Sequence, residues 1–261
     1  MERPSPARVY DALLGGSHNF EVDRAAAENA ARMVPDMPIA AAANRRFLRR
    51  AVTFLADSGI RQFVDIGAGI PTVGNTHEIV QGLDPEGRVV YVDIDAIAVA
   101  HATAILRGNP HAIAIRGDFR APEALLADIE RAGLVDLSKP VGLLMVAVLH
   151  LVPDEGRPAE STAVLRDAVA PGSHLVISHL TSARRPEETA RFSSEVAQRD
   201  GIRLMFRSPA EIAAFFGDFT LVEPGLVELS GWRPDPVEHD AGPAGSSLIV
   251  AGVGRKGSPL P

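Results

Sequence analysis

Asp65-Ile66-Gly67-Ala68-Gly69-Ile70-Pro71-Thr72 follows the apolar run that begins at Gln62 and precedes an amphipathic stretch at 75–83. A strand, a glycine turn and a helix in that order let the backbone turn sharply and approach a ligand that a Cβ would exclude. Asp93 comes 24 residues after Gly69, at the end of Val89-Val90-Tyr91-Val92. In a doubly wound fold that is the place for a carboxylate gripping ribose hydroxyls. Asp95 is a second candidate for the same role, and sequence does not separate the two.

Outward from this unit, short apolar runs alternate with amphipathic stretches, the pattern of a parallel sheet flanked by helices. Strands are predicted near Gln62–Ile66, Arg88–Asp93, Ala112–Arg116, Val141–Val148 and His174–Ser178, with helices near 75–83, 96–107, 122–132 and 157–170. Upstream, Asp36-Met37-Pro38 opens a helix that Ser58-Gly59 closes, and Gly15-Gly16 separates two shorter ones. Downstream, Arg184–Asp200 reads as a helix and Ser208-Pro209-Ala210-Glu211 as a capping box. Phe219–Leu229 and Ser247–Val253 read as antiparallel strands, because no helix fits between them. The expected fold is α/β: a doubly wound seven-stranded sheet with an antiparallel last strand. Residues 1–57 form an N-terminal helical cover and 58–256 the core, within one structural domain.

The cofactor reading turns on charge. A pyrophosphate fingerprint wants a third glycine where this chain has Thr72. S-adenosylmethionine carries an ammonium and no phosphate, which suits a carbonyl-rich loop beside Asp65. Gly117-Asp118-Phe119 follows the third strand, where a carboxylate can accept the adenine amine and an aromatic can pack on the base.

Asp65-Ile66-Gly67-Ala68-Gly69, Val92-Asp93-Ile94-Asp95, Gly117-Asp118 and the antiparallel last strand resemble a class I methyltransferase. More narrowly, residues 7–16 (Ala7 to Gly16) and 19–24 (Asn19 to Arg24) resemble a bacterial S-adenosyl methyltransferase family formerly catalogued as a domain of unknown function. Ile70-Pro71-Thr72, Ala147-Val148-Leu149-His150, Val152-Pro153-Asp154 and Trp232-Arg233-Pro234 extend the likeness over nearly the whole chain. It implies S-adenosylmethionine as cofactor, S-adenosylhomocysteine as product, and no particular acceptor. Position by position it implies Asp65, Gly67, Ala68 and Gly69 at the methionyl part, Asp93 on the ribose and Ile94 beside the base. Asp118 and Phe119 fall to the adenine, with Ala147 and His150 bordering the methyl-transfer side. Tyr10, Asp11 and Asn19 are candidates for a cofactor contact from the N-terminal cover. Against that role stand core packing for Tyr10 and helix capping for the other two.

His150, at the carboxyl end of a central strand, is the candidate general base; the competing role is a hydrogen-bonded histidine shaping Leu151-Val152-Pro153. With 46% hydrophobic and 23% charged residues the composition is globular, and no apolar run reaches the ~18 residues of a membrane span. A net charge of −7 argues against a nucleic-acid partner. Zero cysteines fit a cytoplasmic setting and exclude thiolate chemistry. No metal-ligand spacing and no Gly-x-Ser-x-Gly elbow occurs. The expected function is methyl transfer to a small or medium-sized acceptor. The alternatives are an NAD(P)-dependent oxidoreductase and a cofactor-binding regulatory protein without turnover.

Overall fold

A computed structural model describes residues 3–71, 74–235 and 247–257. At its centre five parallel strands pair in the order β3 (Ala112–Arg116), β2 (Arg88–Asp93), β1 (Gln62–Ile66), β4 (Gly142–Val146) and β5 (His174–Leu180). The order reverses beyond β1, so the carboxyl ends of β1 and β4 open a crevice between them. β8 (Ile249–Arg255) runs antiparallel along β5 over its full length, pairing His174 with Arg255 and Leu180 with Ile249.

The strand expected over Phe219–Leu229 is two short ones, β6 (Thr220–Leu221) and β7 (Val227–Glu228), both antiparallel to β8. Among the described residues the sheet therefore has eight strands where seven were expected. Pro224 has no N–H to give a ladder, and Gly225 turns back to donate to the Val222 carbonyl at 2.8 Å, so pairing stops and restarts. Thr72 lies outside the described residues.

β1, β2, β4 and β5 are buried on both faces almost throughout, as parallel strands covered by helices must be. Phe63, Tyr91, Leu144 and Val176 point into one core with α3 (Met37–Asp57) and α4 (Thr76–Leu83). Val64, Ile66, Val90 and Leu143 point into the other, with α6 (Pro122–Ala132), α7 (Pro158–Ala168) and α9 (Pro209–Ala214). α5 (Ala96–Ile105) flanks β2 and β3. Ser208 Oγ accepts from Glu211 N while the Glu211 carboxylate accepts from Ser208 N, the reciprocal cap expected at α9. Fully buried Trp232 packs edge-on against Phe47 and Phe54, away from the crevice.

Above the crevice lie α1 (Pro6–Leu13), α2 (Glu21–Met33) and α8 (Pro186–Asp200). Two carboxylates, Asp23 and Asp95, pin α1. Arg8 donates to Asp23 at 2.8 Å and to Asp95 at 3.0 Å, and Ser5 Oγ donates to Asp95 at 2.6 Å. Gly16 closes the turn after α1; a Cβ there would lie 2.1 Å from the Asp11 carboxylate.

Candidate active site

The crevice is one continuous cavity of about 400 Å³ running from the β2–β3 end of the sheet to the space beneath α2 and α8. Of the residues singled out from sequence, all but Asn19 line it. Asn19 is held away because its amide donates to Asp11 at 2.8 Å and to the Gly16 carbonyl at 2.8 Å. It secures the Gly15-Gly16 turn. Asp11, buried inside α1, accepts from Asn19 and from His18 N, so neither residue is a helix cap.

The glycine turn continues β1. Gly67 N and Ala68 N donate to the Val92 carbonyl, and Gly67 sits at φ +70° where a Cβ would lie 2.3 Å from Val148. Beside it Asp65 is buried, and Thr76 Oγ1 donates to its Oδ2 at 2.7 Å. Burial outweighs that hydrogen bond and the nearby Arg45 charge, pushing the Asp65 carboxyl up to about 6. A carboxylate so weakly compensated inside a cavity fits a ligand carrying an ammonium. Arg45, reaching across from α3 to the Gly74 carbonyl, brings a cation to the same wall for a ligand carboxylate.

The two acids after β2 divide. Asp93 Oδ2 accepts from Gly69 N and Oδ1 from Asp95 N, each at 2.8 Å, so the carboxylate is fixed across the glycine turn. Burial raises its pKa against those bonds. Asp95 caps α5 by accepting from Ile97 N, and its other oxygen takes Ser5 and Arg8. Burial alone would raise the Asp95 pKa, but Ser5, Ile97 and Arg8 together hold it low. Asp95 thus serves the N-terminal cover and the cap while still lining the cavity. At the outer end Asp118 pairs with Arg120, whose hydrogen bond lowers the carboxyl pKa. Phe119 is buried beside it and Ile94 is exposed at the rim.

At the carboxyl end of β4, Ala147 adopts φ +60°, a left-handed conformation that costs a residue with a Cβ. Its N–H is held by Ser178 Oγ at 3.0 Å and the Ser178 carbonyl at 3.2 Å. Ser178 Oγ donates in turn to Asn44 Oδ1, Asn44 Nδ2 to the Tyr10 hydroxyl, and that hydroxyl to the Ala41 carbonyl. Tyr10 both lines the cavity and ties α1 to α3; burial raises its hydroxyl pKa. Sequence reading missed Asn44 and Ser178. The available signal was one amide, a poor helix former, at the end of the alanine run 40–43.

His150 is 8% exposed, and its Nδ1 has no hydrogen-bond partner. Burial first, then His179 and Arg207, hold its pKa well below 6.5, so the ring is neutral. The loop Leu151-Val152-Pro153 is shaped by Arg207, not by His150: its guanidinium donates to the Leu149 and Val152 carbonyls, to Asp154 and to His179 Nε2. Among the described residues no group of three or more histidine, aspartate or glutamate side chains could hold a metal, and no helix is long and apolar enough to cross a membrane.

A profile of S-adenosyl methyltransferases matches residues 1–257. The chain belongs to the S-adenosyl methyltransferase family. Among solved structures it is similar to a candidate methyltransferase from Thermobifida fusca, at 41% identity over 98% of this chain and 96% of that one, with a TM-score of 0.91. It is also similar to a DUF574 family protein from Streptomyces avermitilis, at 36% identity over 98% of both chains and a TM-score of 0.92. The N-methyltransferase NodS from Bradyrhizobium japonicum, solved with S-adenosylhomocysteine, shares the fold at 14% identity and a TM-score of 0.52, over 96% of this chain and all of that one. No curated protein matches. The protein is an S-adenosylmethionine-dependent methyltransferase, and none of these relatives supports the oxidoreductase alternative.

Proposed function

We propose that this methyltransferase acts on a small or medium-sized acceptor held beneath the N-terminal cover, with the cofactor along the carboxyl ends of β1, β2 and β3. The observation that carries this reading is the single cavity that joins the acids of β1 and β2 to Ala147 and His150. Asp65 takes the cofactor ammonium and Arg45 its carboxylate, while the Gly67-Ala68-Gly69 turn lies against the methionyl chain. Asp93 accepts from the ribose hydroxyls, supported by its fixed geometry across Gly69; Asp95 positions the cover. Asp118, Phe119 and Ile94 receive the adenine. Bound S-adenosylmethionine supplies a methyl group on a positively charged sulfur, already activated towards a lone pair.

The chain's own task is then to orient the acceptor and keep water out. Ala147, held by Ser178, sets the floor at the end of β4. Tyr10 and Asp11 close the space from above, and residues 1–57 serve as the cover on a core of 58–256 within one structural domain. His150, neutral and with Nδ1 unpartnered, can accept a hydrogen bond from the protic group of the acceptor. This reading carries a cytoplasmic location and no nucleic-acid partner, the latter supported by the net charge of −7. Calorimetric titration with S-adenosylhomocysteine and with NADH tests it. Tight binding of the first alone is expected; preference for NADH overturns it.

A further inference from the structure

Beyond the acids and His150, the cavity continues into a chamber of a different chemistry. Its walls are Ala30 of α2, Met37 and Leu48 of α3, Phe192 and Val196 of α8, and Leu204 just after α8. All belong to, or pack on, one hydrophobic cluster, separate from the cluster that holds Phe119 near the adenine end. α2 and the start of α3 present alanines to this space, Ala26, Ala30 and Ala41, where larger side chains would fill it.

The charges at its margin are engaged. Asp200 is paired with Arg199 at 2.6 Å, and Arg45, on the wall beside Asp65, is taken by the cofactor carboxylate in the reading above. The polar groups of Tyr10 and Asn44 are committed to each other and to Ala41 and Ser178. His150, which lines the cavity, keeps one buried ring nitrogen, Nδ1, without a hydrogen-bond partner, on a ring whose protonation is suppressed. A charged guest would lose its hydration with nothing to replace it, and each hydroxyl of a sugar-like guest beyond the first would be buried unpaired.

We propose that the acceptor is an uncharged, largely apolar molecule carrying a single O–H or N–H group, its apolar body in the α2–α3–α8 chamber and its protic group at His150. This rests on the site reading above. Where the apolar body lies fixes which atom faces the cofactor, so the chamber walls, Ala30 and Leu204 in particular, set acceptor size.

The test titrates 2-naphthol, naphthalene, 2-naphthoate and inositol into the full chain, each with and without S-adenosylhomocysteine. 2-Naphthol is expected to bind best, with the anion and the polyol weaker by roughly tenfold or more. Naphthalene is expected between them, since it fills the chamber and leaves His150 unpaired. Ala30→Leu, which narrows the chamber, and Leu204→Asn, which makes its wall polar on a half-buried segment, should each weaken 2-naphthol by roughly tenfold. Affinity for S-adenosylhomocysteine should change by less than about twofold in either variant, which also shows that the variant is folded. The proposal is overturned if inositol or 2-naphthoate binds as well as 2-naphthol, or if both variants leave 2-naphthol affinity unchanged. Failure of S-adenosylhomocysteine to bind the wild-type chain counts against the cofactor reading alone, because the 2-naphthol arm is read without it.

Discussion

Ser178 and Asn44, 134 positions apart, share a 2.6 Å hydrogen bond that joins β5 to α3, on which α1 packs. Through it the strained backbone of Ala147 is connected to Tyr10 by side chains whose donors and acceptors are matched end to end. A chain of this kind is worth most when complete, since removing one member leaves buried groups unpaired. Asn44→Ala and Ser178→Ala should each destabilise the fold by about 1–3 kcal/mol. The double variant should cost clearly less than the sum, because the two substitutions break the same chain. Urea denaturation of the four proteins reads this coupling; strict additivity would show that the two ends are independent.

The acids Asp93 and Asp95 should separate on substitution. Asp93→Ala should weaken S-adenosylhomocysteine by about 1.5–3 kcal/mol, the worth of hydrogen bonds to a charged acceptor. Asp95→Ala removes the α5 cap and one of Arg8's two carboxylate partners, so it should cost about 1 kcal/mol or more of stability. Calorimetry and denaturation on both variants decide the assignment. Equal losses of affinity would return Asp95 to the ribose.

Asp65 makes cofactor binding depend on pH. Its carboxyl titrates near 6 in the free protein, and a bound ammonium favours the ionised form. Below pH 6 binding must therefore expel a proton, so affinity falls as pH drops and levels off above about 7. Between pH 7 and pH 5 the loss should be roughly tenfold if only the carboxylate binds. Asp65→Asn should bind weakly and lose this step. A wild-type profile flat from pH 5 to 7 would remove Asp65 from the ammonium.

The paired glycines after α1 are not equivalent. Gly15 has φ +75° with open space around its would-be Cβ, so Gly15→Ala costs backbone strain alone, about 1 kcal/mol. Gly16→Ala drives a methyl into the Asp11 carboxylate, which His18 N and Asn19 hold in place. A loss of about 1–3 kcal/mol is expected there, with weaker S-adenosylhomocysteine binding as α1 shifts. The reverse ranking in thermal melts would mean the turn is set by φ alone.

The fold was legible in the order of apolar runs and turns, because a parallel strand buried on both faces must be apolar throughout and its crossover helices must intervene. The glycine turn and Asp93 were legible for the same reason: local geometry fixes where a loop leaves a strand and what it can approach. Ser208 and Glu211 likewise declared a helix start, since a cap acts over three residues. What lay outside the sequence were pairings between distant segments. The tie of Asp95 to the N-terminal cover depends on Ser5 and Arg8, about 90 positions away. Arg207 shapes the loop after β4 from more than 50 positions downstream, a task for which His150 was the local candidate. Asn44 resembles any surface amide until Tyr10 and Ser178 meet it. Hydrophobic periodicity records which face of an element is buried; it carries no information about which buried polar group waits on the opposite side. Only the packed chain decides that, because a polar group taken from water must find its partner wherever the fold delivers one.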